Sequence, residues 1–235
     1  MQHGSHPTTE TSAVLPAGEA LSRALADPAA AWPDVVLRPH QLEALDELAG
    51  RLNHGARRTW VDAPTGSGKT VMFLALAAAL GGSTLVLVPR RNLAEQTAAG
   101  LARHFSSVPS HPEGPESAGK PGVAICTYQA ALRHQDRMDW ESVTLLICDE
   151  AHATLGAQTR KLLDRAVNAV VVGFTATPYR LDSGMLHEGK DRLFTDIAFQ
   201  VPVLEMIQQG YLCPVVPKQT STQLDVGGVG TRGGE

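Results

Sequence analysis

The chain carries no surplus of positive charge. Twenty Lys and Arg against 24 Asp and Glu leave a formal net charge of −4 over 235 residues. A wholly basic nucleic-acid module is therefore excluded, and any nucleic-acid contact must come from local arginines, backbone amides and helix ends. Cysteine is equally sparse: Cys126, Cys148 and Cys213 are too few and too scattered for a disulfide framework or a Cys-rich zinc site. Cys126 and Cys148 stand inside apolar runs and read as small core residues in a reducing compartment. No basic segment followed by a continuous apolar stretch opens the chain, so no secretory signal is read. The longest apolar run, Val71 to Leu80, is far short of the roughly 20 residues that span a bilayer. These absences predict a cytoplasmic protein with no membrane partner. There is no internal repeat. The nine histidines include no His-Glu-x-x-His spacing, and no metal site is read from them.

What is present is a substantial apolar fraction, 43%, enough to bury a core. Residues 1–34 read as a disordered or partly helical tail, with a short helix over Ala17 to Ala26. Residues 35–218 read as one domain and 219–235 as a flexible, Gly-rich tail. Within the domain, an amphipathic helix opens at Leu37-Arg38-Pro39-His40-Gln41 and aligns Leu42, Leu45, Leu48 and Ala49 on one face. Strands are predicted at Thr59–Val61, Thr84–Val88, Gly122–Cys126, Val143–Cys148, Ala169–Phe174, Ile197–Val201 and Val215–Pro217. Helices are predicted at Val71–Leu80, Arg91–Phe105, Tyr128–His134, Leu155–Asn168 and Val203–Gln209. Ser106 to Pro121 and Tyr179 to Phe194 read as loops, the first of them exposed and mobile. The strands are near-continuous Val, Leu and Ile runs alternating with helices. That is the signature of a mostly parallel sheet covered on both faces, an α/β fold of three layers.

Asp62-Ala63-Pro64-Thr65-Gly66-Ser67-Gly68-Lys69-Thr70 joins the first strand to the most apolar helix. Glycines let backbone N–H groups approach an anion closely, and the helix start adds orphan donors and the positive end of its dipole. Thr65, Gly66, Ser67 and Gly68 would cradle phosphates, Lys69 would reach the β- and γ-phosphates, and the Thr70 hydroxyl would ligate Mg²⁺. The loop departs from G-x-x-x-x-G-K-[ST] in one place, with Ala63 at the first glycine. Asp149-Glu150-Ala151-His152 follows a buried strand. Such strand ends form the ligand-binding rim of open α/β sheets, so Asp149 is placed as a Mg²⁺ holder and Glu150 as the group that activates water. Taken alone, the two acids could equally be a solvated pair. Thr175 and Thr177 leave the next buried strand on one face. They read either as ordinary strand-exit threonines or as links from the acids to a γ-phosphate.

Together these motifs resemble the first motor domain of superfamily 2 DEAD/DEAH-box helicases, in the RadD-like and restriction-enzyme-like branch, from about Leu37 to Pro217. The resemblance implies a RecA-like P-loop NTPase domain that uses ATP and Mg²⁺. In that superfamily the phosphate loop commonly begins with Ala, as at Ala63. Asp149 to His152 resembles motif II in its DEAH form, and Thr175 to Arg180 resembles motif III. Arg38-Pro39-His40-Gln41 resembles the adenine-reading element, which implies that Gln41 bonds the adenine edge and Arg38 packs near the base. Val88 to Gln96 resembles motif Ia, with Arg90 and Asn92 where Thr and Glu are commoner. Thr127-Tyr128-Gln129 resembles a later strand-contacting element. By this likeness Arg90, Arg91, Thr127 and Gln129 grip one nucleic-acid strand through its sugar–phosphate backbone. DNA is the expected substrate, single-stranded or duplex, with RNA also open. His152, Thr175 and Thr177 are expected to couple the γ-phosphate to that grip.

The family works with two motor domains, and no Gln-x-x-Gly-Arg of the second appears here. Residues 218–235 are too few for another domain. The chain is therefore expected to be a truncated reading frame, an excised piece or one half of a split enzyme, with a second RecA-like domain as its partner. Missing arginine fingers cost about 10³–10⁵ in turnover, so slow hydrolysis without unwinding is expected. A non-hydrolysing, ATP-gated nucleic-acid-binding or regulatory module is the alternative. A small-molecule kinase would share only the phosphate loop.

Overall fold

The computed structural model describes residues 16–111, 114–152, 157–176, 179–180, 184–185 and 193–214. In chain order the elements are α1 (Ala17–Ala26), α2 (Pro28–Ala31), α3 (Pro39–Asn53), β1 (Arg58–Asp62), α4 (Lys69–Leu80), β2 (Ser83–Val88) and α5 (Arg91–His104). There follow β3 (Ser110–His111), a 3₁₀ turn at Gly114–Ser117, β4 (Gly122–Thr127), α6 (Tyr128–His134), a 3₁₀ turn at Gln135–Arg137, β5 (Leu145–Asp149) and α7 (Ala157–Leu163). The last are β6 (Val170–Thr175), β7 (Tyr179–Arg180), β8 (Gly184–Met185), β9 (Asp196–Gln200) and α8 (Val203–Gln208).

Seven strands form one sheet in the order β3-β4-β2-β5-β6-β1-β9. Every pairing within it is parallel, as the unbroken Val, Leu and Ile runs predict for a doubly covered sheet. One face packs against α1, α3 and α4 through Leu21, Leu45, Leu48, Phe73 and Phe174. The other packs against α6 and α7 through Ala131, Leu162, Leu163 and Phe194. The hydrophobicity of α4 on all sides has a simple cause: Met72 to Ala77 are all buried. Among the described residues no helix is long and apolar enough to cross a membrane.

Three expectations are revised. The segment before residue 35, read as a disordered or partly helical tail, has its expected helix at Ala17–Ala26 but belongs to the packed body from α1 onward: Leu21 is 0% and Trp32 1% exposed, and the Trp32 indole donates to the Ala75 carbonyl at 3.1 Å. Ser106 to Pro121, read as an exposed mobile loop, contributes the edge strand β3 and a packed 3₁₀ turn with Ser117 and Ala118 buried. It is held by a backbone bond that no side-chain pattern signals, from Val123 N to Pro109 O at 2.8 Å. Tyr179 to Phe194, read as loop, contains the antiparallel pair β7–β8 and ends on the buried Leu193 and Phe194. The predicted strand at Val215–Pro217 and the two tails at residues 1–15 and 219–235 lie outside the described residues.

Candidate functional site

β1 delivers the buried Asp62 to the carboxyl edge of the sheet, and the chain then turns through the phosphate loop into α4. Gly66 and Gly68 have φ of +87° and +83°, the left-handed region open to glycine. A Cβ on Gly68 would overlap the Gln41 amide nitrogen. Ala63 is fully buried and donates its N–H to the Thr175 carbonyl at 2.8 Å, so the non-glycine at this position fits without strain. Thr65 and Gly66 are exposed, and Thr70 is half-buried in the first turn of α4. The buried Ser67 hydroxyl has no hydrogen-bond partner among the described residues. The Lys69 amine donates to the Ala63 carbonyl at 3.1 Å and stands 3.7 Å from Glu150 Oε1.

β5 brings Asp149 to the same rim, two strands from β1. Glu150 is the one described non-glycine residue with positive φ, +49°; strain of this kind is retained where the surroundings impose it. Here the surroundings include Gly173 on β6, where a Cβ would stand 2.9 Å from Ala151 Cβ and 2.7 Å from Phe194 Cζ. Asp149 Oδ1 accepts the Glu150 N–H at 3.0 Å. Burial, and secondarily the Glu150 charge, push the Asp149 carboxyl up to about 6 against the opposing pull of Lys69. His152 Nδ1 lies 2.9 Å from Thr175 Oγ1 and 3.4 Å from Glu150 Oε2. Lys69, Glu150, His152 and Thr175 thus form one continuous line of polar contacts across three strand ends. Thr177, assigned to the same group from the sequence, lies outside the described residues.

Gln41 is buried with its amide turned to the protein. Its Oε1 accepts the Arg38 N–H at 2.9 Å, and its Nε2 donates to Ser67 O at 3.1 Å. It therefore caps α3 and fixes the phosphate loop together. Arg38 is exposed, and its guanidinium lies 4.7 Å above the Tyr211 ring.

The two arginines of the motif Ia-like segment diverge. Arg90 lines a cleft of about 500 Å³ together with Thr65, Asn92, Glu150, His152 and Ala176. Arg91 pairs with Glu95 at 3.2 Å one helical turn on. Thr127 uses its hydroxyl to cap α6, accepting the Ala130 N–H at 3.1 Å, while Gln129 is exposed. Between them Tyr128, which carried no assignment from the sequence, is buried and bonded to the Asp149 carbonyl. Tyr211 and the Asp62–Gln200 contact at 2.9 Å were also missed. Tyr211 follows a weakly patterned helix, and Gln200 reaches Asp62 only through the pairing of β9 with β1.

The donor set suits a magnesium–triphosphate. Asp149 is a buried carboxylate whose second oxygen has no hydrogen bond among the described residues. Those residues hold no cluster of three or more His, Cys, Asp or Glu that could bind a metal by themselves. Magnesium bound through one or two protein oxygens and substrate phosphates needs no such cluster.

The family described as "Type III restriction enzyme, res subunit" matches residues 34–180. A Saccharomyces cerevisiae protein named "Putative ATP-dependent helicase IRC3" is 32% identical over 213 residues, covering 81% of this chain and 30% of that protein. The DNA 3'-5' translocase XPB2 of Sulfurisphaera tokodaii is 27% identical over 172 residues, covering 73% of this chain and 37% of that protein. Among solved structures, a nuclease-deletion mutant of the Type ISP restriction-modification enzyme LlaGI, in complex with a DNA substrate mimic, superposes with a TM-score of 0.58 at 19% identity. It covers 75% of this chain and 21% of that one. The Pyrococcus furiosus Hef helicase domain does so with 0.51 at 23%, over 65% and 37%. At these identities the structural likeness speaks for the fold. The chain spans about a third of the length of the two curated relatives named. With the family match covering most of the sheet and both acidic and phosphate-loop motifs, the chain belongs to the Type III restriction enzyme res-subunit family and is a first RecA-like motor domain of the superfamily 2 helicase kind.

Proposed function

We propose that this chain binds Mg·ATP at the rim formed by the phosphate loop and Asp149-Glu150, and hydrolyses it slowly. It would act as the ATP-binding half of a DNA helicase or translocase. The observation that carries the reading is the 3.7 Å approach of the Lys69 amine to Glu150. It brings the proposed phosphate ligand and the proposed carboxylate base to one place from separate strands.

In this account the loop amides and Lys69 bind the triphosphate, Lys69 exchanging the Ala63 carbonyl for phosphate oxygens. Thr70 and Asp149 are the residues that would hold Mg²⁺, whose chemistry is to neutralise charge on the phosphates. Glu150 takes a proton from the attacking water. His152, between Glu150 and Thr175, holds that carboxylate in place. Arg90 shares the cleft with Glu150, so a nucleic-acid backbone gripped there would sense the triphosphate. DNA as substrate is supported by the described activity of the XPB2 relative, and RNA remains an arm of the test. A second RecA-like domain, in a longer or separate chain, is the proposed partner that supplies arginine fingers worth about 10³–10⁵ in turnover.

The test is phosphate release by the chain without nucleic acid and with single-stranded DNA, duplex DNA or RNA across a salt series. Slow Mg²⁺-dependent release, stimulated by DNA and less so as salt rises, supports the reading. Binding of ATP without release identifies an ATP-gated binding module instead. Robust strand separation by these 235 residues would contradict the need for a second domain.

A further inference from the structure

β2 and β5 leave the sheet side by side. Leu87 pairs with Cys148, so Arg90, three residues on, and Glu150, two residues on, emerge from neighbouring strands at one rim. Arg90 is still extended, with φ of −138° and ψ of 151°, and α5 begins only at Arg91. The cleft of about 500 Å³ at this rim runs from Thr65 of the phosphate loop, past Glu150 and His152, to Arg90 and Asn92. The first turn of α5 holds no acidic residue. Glu95, one turn further on, is taken by Arg91 at 3.2 Å. Among the described residues the Arg90 guanidinium has neither a hydrogen bond nor an ion pair. Glu150, by contrast, stands 3.7 Å from Lys69 and 3.4 Å from His152. A guanidinium with no acid of its own thus lines the same cleft as the carboxylate base and the phosphate loop.

Phosphoryl transfer spreads charge over the oxygens of the γ-phosphoryl group, and a guanidinium placed there lowers the barrier without forming a covalent bond. A triphosphate held by the loop amides and Lys69 ends in this cleft. Lys69 follows β1 and Arg90 follows β2, with β6 and β5 between them, so the two cations approach the cleft from opposite ends. We propose that Arg90 is an arginine finger built into this domain, its fork reaching the γ-phosphoryl oxygens as water attacks. In that step the water oxygen bonds to phosphorus and its proton passes to Glu150. The electron pair of the broken bond leaves on the β-phosphate oxygen of ADP. Arg90 neutralises charge on the oxygens in transfer and keeps all its protons. The proposal rests on the Mg·ATP reading above and adds to it the residue that sets the rate before nucleic acid or a partner domain arrives. Arg90 is exposed, so water screens its charge and its effect is smaller than the about 10³–10⁵ of an enclosed finger. The fork carries enough N–H donors to hold a strand phosphate on its outer side as well, so nucleic acid in the cleft would seat the same side chain.

Two measurements on the full chain test this. One is phosphate release without nucleic acid. The other is calorimetric affinity for Mg·ADP with and without aluminium fluoride, which stands in for the phosphoryl group in transfer. Arg90→Ala is expected to lower unstimulated release about 10–100-fold and to leave Mg·ADP affinity within about twofold. It should also lose most of the tightening that aluminium fluoride gives the wild type. Arg90→Lys keeps the charge without the fork and is expected to fall between. Arg103→Ala removes an exposed arginine from the last turn of α5 and is expected to match the wild type throughout. Unchanged release and unchanged tightening in Arg90→Ala would overturn the proposal and leave Arg90 as a strand contact. Equal weakening of Mg·ADP with and without aluminium fluoride would also overturn it, by making Arg90 a ground-state ligand. Wild-type protein that binds Mg·ADP without tightening or release would overturn the finger alone. Wild-type protein that binds no nucleotide would remove the Mg·ATP reading and the finger with it.

Discussion

The Tyr128 hydroxyl donates to the Asp149 carbonyl at 2.9 Å, tying the first residue of α6 to the turn that presents Glu150. Tyr128 is 7% exposed, so this bond is not traded for one to water when it is lost. Its neighbours Thr127 and Gln129 are the residues whose family likeness implies strand contact. A force on the head of α6 therefore reaches the acidic pair through one hydroxyl. Tyr128→Phe is expected to cost about 1 kcal/mol of stability and to leave Mg·ATP affinity within about twofold. Nucleic-acid stimulation of phosphate release should fall roughly tenfold, the equivalent of ~1.4 kcal/mol. Comparing stimulated with basal release in wild type and variant checks it; an unchanged ratio would confine Tyr128 to packing.

The turn at Glu150 needs room on β6. Gly173→Ala places a methyl against Ala151 and Phe194, and overpacking of this kind costs about 1–3 kcal/mol. Chemical denaturation should show the loss. Activity measured well below the midpoint should also fall, because the displaced neighbour, Ala151, directly follows Glu150.

Asp62 supplies a pH signature away from the acidic pair. Burial raises its carboxyl above the usual 3.8, opposed by the Gln200 hydrogen bond and the Lys69 charge. A carboxyl raised in the folded state binds its proton more tightly there than in the unfolded chain. Its contribution is intact below pH 3.8 and declines as pH rises through the folded value. Asp62→Asn keeps an oxygen for Gln200 and cannot ionise. Its stability relative to wild type should therefore increase from pH 4 to pH 7, followed by urea midpoints; a flat difference would contradict the assignment.

Thiol chemistry tests the core independently. Burial pushes Cys126 and Cys148 up to about 12, while Cys213 is exposed. Reaction with a thiol reagent at pH 8 should titrate one cysteine in the native chain and three after denaturation, since the thiolate is the reactive form.

The parts of this molecule that could be read from sequence are those set by local pattern. Apolar runs such as Leu145–Cys148 predict buried parallel strands, and Gly66, Gly68 and Lys69 predict the anion loop, because the chemistry of each lies in consecutive residues. Tyr128 and Tyr211 were not legible for the opposite reason. Each acquires its partner across the fold, Asp149 from β5 and Arg38 from the start of α3. β3 escaped because its Ser-His pair is too short to show a strand pattern and gains its place only by pairing with β4. Gln41 was assigned to a base edge from family likeness, and its amide also joins Arg38 N to Ser67 O. That division of labour is visible only once α3 and the phosphate loop are side by side.

The central claim is that Lys69 and Glu150 serve one triphosphate in different capacities, the first holding it and the second cleaving it. The direct measurement is Mg·ATP affinity and phosphate release for wild type, Lys69→Ala and Glu150→Gln, side by side. The account predicts no detectable binding for Lys69→Ala. For Glu150→Gln it predicts near-native affinity with release reduced about 10²–10⁴-fold. Release by Glu150→Gln at the wild-type rate, or native ATP affinity in Lys69→Ala, would contradict it.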